Sequence, residues 1–216
     1  MPLSLLEMLD SPLDKKGQNA PFPTTLMPGA TYNRLAEIAA ERYGYVTTAD
    51  AEALGLDPHR LFEMARRGQL DHPATAVYRV PLIPVTPLDP YMQATLWPRN
   101  ADAVISHASA LGLYELGDVN PAKIHITVPQ AHRPRREVPT LYVLHREDLR
   151  PEDLTTYEGI PIVTAAKAIR QAHEAHLGPA LIRAAIEDGR RRGLLKRAEA
   201  AGLHEELIEG DSAAVR

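Results

Sequence analysis

The chain has 216 residues, of which 44% are hydrophobic and 24% charged, with only 5% aromatic, so Leu, Ile, Val and Ala must fill its core. It has no cysteine, which excludes disulfides, thiolate metal sites and a cysteine nucleophile. The net charge of −4 argues against indiscriminate binding to nucleic acid, so a nucleic-acid partner would have to be held by local clusters of positive charge. No apolar run approaches the roughly 20 residues of a membrane helix. The N-terminal stretch lacks the basic region of a signal peptide, and the expected location is the cytoplasm.

Residues 1–30 carry Pro2, Pro12, Pro21, Pro23 and Pro28 and read as a flexible arm. From Tyr32 the pattern changes. Leu35, Ile38 and Ala39 form the apolar stripe of a first helix, with Thr31 as its cap and Gly44 as its left-handed end. Tyr45-Val46 is a short extended stretch. Thr47 or Thr48 caps a second helix over 49–54, Gly55 ends it, and Leu56 is expected to anchor the turn in the core. Asp57-Pro58 starts a third helix, because Asp is a good cap and Pro fits the first position, where the amide is unbonded anyway. Leu61, Met64 and Ala65 form its inward stripe and Gly68 closes it. Leu70, a turn-like Asp71–Thr75 and Val77-Tyr78-Arg79-Val80 read as a β-hairpin with a polar tip. Helix, short helix, turn, third helix and hairpin is the order of a winged helix-turn-helix. Pro81, Pro84 and Pro87 follow as a stiff linker.

The second part is expected to open with a helix over 88–96, then one over 107–114. Lys123–Val128 alternates as a strand does, the basic turn Gln130–Arg136 follows, and Leu141–Leu144 is a further strand. Leu154–Tyr157 and Ile160–Val163, joined by Glu158-Gly159, read as a strand pair. Thr164 caps a helix reaching about His176, Pro179 opens another, and a last helix covers 194–208. The fold class is therefore α+β: an arm over 1–30, a winged helix-turn-helix over 31–86, and a mixed α/β domain over 87–216 that is helical at its C-terminal end.

A third helix in a helix-turn-helix lies in the major groove and meets base edges with its N-terminal half. His59, Arg60 and Glu63 occupy that half. Arg pairs with guanine, Glu accepts from cytosine, and Arg66 and Arg67 are placed to meet phosphates. Thr75, Tyr78 and Arg79 on the hairpin would add backbone or minor-groove contacts. Arg133, Arg135 and Arg136 form a secondary basic patch, read either as a contact to DNA or an acidic partner or as a solvated loop. The run Arg190–Arg192 with Lys196 and Arg197 reads either as a nucleic-acid contact or as compensation for a helix dipole, the second being favoured.

Nothing in the residues argues for an enzyme, a cofactor or a metal. His173 and His176 have a metal-like spacing on one helix but no third ligand nearby. Ser106-His107 with Ser109 is too generic for a triad, and His107 is expected at a helix start with its ring half buried. Asp148, Asp153 and Glu158 lack the acid-acid-lysine spacing of a nuclease, and no glycine loop cradles phosphate.

Leu35–Gly44, Thr47–Leu56, Leu61–Leu70 and Val77–Pro81 resemble the N-terminal winged helix of the AbiEi antitoxin family. The similarity continues through Ala103–His107, Ala110–Leu113, Ile124–Pro129 and Gly159–Thr164. The resemblance implies a repressor that binds double-stranded DNA repeats in its own promoter. It also implies the antitoxin of a type IV toxin–antitoxin pair, whose toxin is a nucleotidyltransferase encoded next door. Two positions depart from the family pattern: Ala74-Thr75-Ala76 stand where the wing tip commonly has a basic residue and Gly, and Gln171 stands where an acid is common. The alternative reading is a protein-interaction module that uses a winged helix without specific DNA binding.

Overall fold

The computed structural model describes residues 29–99 and 101–209, so the expected arm over 1–30 lies almost wholly outside the described residues. Helix α1 (Ala30–Ala40) is followed by strand β1 (Tyr45–Thr47), α2 (Thr48–Ala53), α3 (His59–Arg66), β2 (Asp71–Ala74) and β3 (Val77–Arg79). Thr31 sits inside α1 and does not cap it. The chain leaves α1 through two left-handed residues, Tyr43 (φ 53) and Gly44 (φ 90). A Cβ at Gly44 would stand 3.3 Å from the Arg79 stem, so glycine here serves both the turn and the packing.

Thr47 caps α2 with a reciprocal pair. Its hydroxyl accepts from the Asp50 amide at 3.2 Å, and the Asp50 carboxylate accepts from the Thr47 amide at 2.8 Å. Asp57 accepts from the His59 amide at 2.9 Å, which starts α3 as its residue type suggests. Leu56 between these helices is half-buried and does not reach the core, whereas Leu61 and Met64 of α3 do. The small sheet has the antiparallel order β1-β3-β2. Asp71–Ala74, read above as a turn, is its edge strand, which tolerates Pro73 because an edge amide needs no partner. The turn itself narrows to Thr75-Ala76, with Ala76 left-handed at φ 66.

The remainder comprises α4 (Asp89–Leu96), β4 (Val104–Ile105), α5 (His107–Leu113), β5 (Ile124–Val128), β6 (Tyr142–Arg146), β7 (Leu154–Tyr157), β8 (Ile160–Val163), α6 (Ala165–Glu174), α7 (Pro179–Arg191) and α8 (Arg197–His204). The expected last helix is shorter than 194–208: α8 starts at Arg197 and gives way to a π-helical turn at Glu205–Glu209. His176 lies beyond the end of α6 in a left-handed conformation (φ 62), so it does not share a helix face with His173.

The second sheet has the order β6-β5-β4-β8-β7, with β5/β6 and β4/β8 parallel and the other pairs antiparallel. Its centre is β4, whose two residues are too few to show any alternation in the sequence. The fold is thus α+β.

Strand pleating gives this sheet two unlike faces. Ile124, Ile126 and Val128 of β5 alternate with His125 and Thr127. The parallel register sets Ile126 beside Leu144 and Thr127 beside His145. The apolar face lies on the α4 side, where Trp97 meets Tyr142 edge-on with ring centroids 6.0 Å apart. The polar face lies on the α5 and α6 side.

From Leu35 onward the described chain packs as one unit, and the cut placed at residue 86 from the sequence crosses a continuous core: Tyr45 and Val77 belong to the same buried cluster as Met92, Trp97 and Ile160. Polar ties cross the same line. Tyr43 donates to the Glu158 carbonyl at 2.6 Å, and Tyr45 donates to the Gln93 side chain at 3.2 Å.

Candidate nucleic-acid interface

Helix α3 buries Leu61 and Met64 and leaves His59, Arg60, Arg66 and Arg67 exposed, with Glu63 half-buried. At about 100° per residue, His59, Phe62, Glu63 and Arg66 share the centre of the outward face, and Arg60 and Arg67 stand on one flank. Glu63 and Arg67 approach to 3.9 Å, a loose exposed pair. The positive charge on this helix is therefore presented to solvent and is not spent on holding the helix in place. Phe62, not singled out from the sequence, is 42% exposed beside the His59 ring, with centroids 5.6 Å apart.

The hairpin is different, and two of its expected contact residues are corrected. Tyr78 and Arg79 are buried, because β3 is the central strand and both of its faces are covered. Tyr78 stacks on His72 with centroids 4.5 Å apart. Arg79 pairs with buried Asp89 at 3.2 Å and donates to the Ile83 carbonyl at 2.6 Å. Asp89 also accepts from the Thr86 amide at 2.8 Å and the Thr86 hydroxyl at 2.9 Å, so this pair fastens the proline linker to the start of α4. Thr75 remains exposed at the tip.

The loop after β5 splits the secondary basic patch. Arg136 is half-buried. It donates to the carbonyls of Thr75 and Trp97, and its guanidinium lies over the Trp97 ring at 4.9 Å. It therefore latches the hairpin tip and is not a free surface charge. Arg133 and Arg135 stay exposed, with Arg133 donating to the Gln130 carbonyl at 2.6 Å.

The polar face of the second sheet holds a cluster that the sequence reading passed over. His107 is buried, not half-buried, in a left-handed conformation (φ 52) that is uncommon outside glycine, though His adopts it more readily than most side chains. Its ring stacks on His145 with centroids 3.5 Å apart, and His145 Nε2 lies 3.0 Å from His125 Nδ1, so one nitrogen donates and the other accepts. Ser106 Oγ is 2.9 Å from His107 Nδ1 and accepts from Thr127 at 2.8 Å. Gln171, fully buried, accepts from the His107 amide at 3.3 Å and donates to Glu147 at 2.7 Å, and Glu147 pairs with Lys167. An acid in place of Gln171 could accept from the His107 amide but would set a second carboxylate against Glu147.

Burial, followed by the neighbouring imidazoles, holds His107 down at about 3. Burial and then His125 hold His145 at about 4, and burial lowers His125. At neutral pH these rings are uncharged. They can exchange hydrogen bonds and tie β5 and β6 to α5 and α6, but they supply no positive charge for an anion. Among the described residues no group of three or more His, Asp or Glu is arranged to hold a metal ion, and no helix is long and apolar enough to cross a membrane.

Among known proteins, no curated sequence matches the chain. The crystal structure of the RV2827C protein from Mycobacterium tuberculosis is similar over 82% of this chain and 75% of its own, at 19% identity and a TM-score of 0.46. Residues 33–81, which run from α1 through β3, match the family model described as transcriptional regulator, AbiEi antitoxin.

Proposed function

We propose that the chain is a cytoplasmic DNA-binding autorepressor and the antitoxin of a type IV toxin–antitoxin pair whose toxin is a nucleotidyltransferase, with no catalytic activity of its own. Residues 31–86 act as the DNA-binding part and 87–216 as the antitoxin part. The observation that carries this reading is the outward charge of α3, with His59, Arg60, Glu63, Arg66 and Arg67 presented after a capped helix-turn in the segment that matches the AbiEi family model. A helix placed in this way suits the major groove, with Arg66 and Arg67 on phosphates.

A second reading has its own support. With Tyr78 and Arg79 buried and Ala74-Thr75-Ala76 at the tip, the wing has little to offer a phosphate backbone, which favours a protein-binding role for the module. A mobility shift with DNA from upstream of the chain's own gene, against unrelated DNA of equal length at two salt concentrations, separates the two. Preference for the upstream DNA that survives physiological salt supports the repressor. Equal and salt-sensitive binding, or none, supports the protein-binding module. Co-expression with the neighbouring gene tests the antitoxin half: growth should recover when the full chain is present.

A further inference from the structure

We infer that Phe62 is a specificity residue that reads thymine, its ring packing on the 5-methyl group in the major groove while Arg66 and Arg67 hold the backbone. This rests on the DNA-binding reading of α3. Three observations carry it. First, Phe62 is 42% exposed on the outward face although α3 is already anchored by buried Leu61 and Met64, so the fold gains little from a large apolar side chain at this position. Second, the His59 ring lies beside it with centroids 5.6 Å apart and planes tilted by 31°, so the two rings form a small exposed aromatic pair. Third, Glu63 is next to it on the same face. A carboxylate there repels phosphate, so this part of the helix suits base edges, while the cations one turn later suit the strand backbone. A phenyl ring can neither donate nor accept a conventional hydrogen bond, and the apolar group that base edges offer in the major groove is the thymine methyl.

The test uses the full chain and two versions of the duplex from upstream of its own gene, one natural and one with every thymine of the bound site replaced by deoxyuridine. The exchange removes the methyl groups and keeps every base-pair hydrogen bond. Each contacted methyl should be worth about fourfold in affinity. The natural protein should therefore bind the deoxyuridine duplex at least fourfold more weakly. Phe62→Ala should bind the natural duplex more weakly and lose the difference between the two duplexes. Phe62→Leu, which keeps an apolar side chain, should keep most of it. Equal binding of both duplexes by the natural protein, or an undiminished difference in Phe62→Ala, overturns the inference. Absence of any preference for the upstream DNA overturns the DNA-binding reading and this inference with it, and is recognised before the thymine exchange is made.

Discussion

Helix α3 and the polar face of the second sheet carry similar residue types, His, Arg or Lys, and Glu, but use them in opposite ways. On α3 the charges point to solvent, and the pair between Glu63 and Arg67 is a loose 3.9 Å contact. On the sheet the clustered polar groups have partners in the protein: His107 on His145, His145 on His125, and Gln171 bridging the His107 amide to Glu147. A partnered, buried polar group contributes to stability and specifies packing, and removing it leaves a desolvated partner behind. An exposed charge contributes little to stability and is available to a ligand. The first region is thus left open to a ligand, and the second is architectural. Arg79 and Arg136, both expected at the surface, join the architectural class.

The comparison breaks most easily at Arg79. Replacing it with Ala leaves the Asp89 carboxylate buried without its cation, which should cost about 3–5 kcal/mol of folding stability, read from denaturant unfolding. A change below about 1 kcal/mol, within the range of exposed pairs, would return Arg79 to the surface class. Gly117 is the next largest. It is left-handed at φ 68, and a Cβ there would stand 2.7 Å from the Leu181 carbonyl oxygen, where α7 crosses it. Gly117→Ala should therefore cost about 1–3 kcal/mol from overpacking, with some added backbone strain. An unchanged melting temperature would mean that α7 does not pack there.

The histidine cluster sharpens the comparison through pH. His107 at about 3 and His145 at about 4 lie below their ordinary value of 6.5, so the neutral form belongs to the folded state. As pH falls below 6.5 the unfolded chain takes up protons that the folded chain refuses, and stability falls through the window down to about 4 for His145 and about 3 for His107. The melting temperature should drop between pH 7 and pH 5, and His145→Gln should flatten that drop. A flat profile in the natural protein would mean that the rings are solvated.

The succession of α1, α2 and α3 was legible because its punctuation is local. Gly55, Asp57-Pro58 and Gly68 each mark a boundary through their own backbone preference, and the apolar spacing of Leu61 and Met64 points the charges outward. The burial of Arg79 was not legible. Its partner Asp89 is ten residues away across a proline linker, and a three-residue strand does not reveal that both of its faces are covered. The histidine cluster was hidden for a topological reason. Its members run from Ser106 to Gln171, and Thr127 meets His145 only through the parallel register of β5 and β6. The recurrence of polar residues at a spacing of two, His125 with Thr127 and His145 with Glu147, was a visible signal of one polar face. Nothing local said that the two faces were the same one.

The most direct test of the central claim, that α3 presents its charge to DNA, is the salt dependence of binding to the upstream duplex for the natural protein and for Arg66→Ala combined with Arg67→Ala, with the melting temperature of each measured alongside. The account predicts a slope of log affinity against log salt that is shallower by about one unit for each lost phosphate contact, with melting unchanged because neither residue is buried. An unchanged slope, or a loss of binding that merely follows a loss of folding, would contradict it.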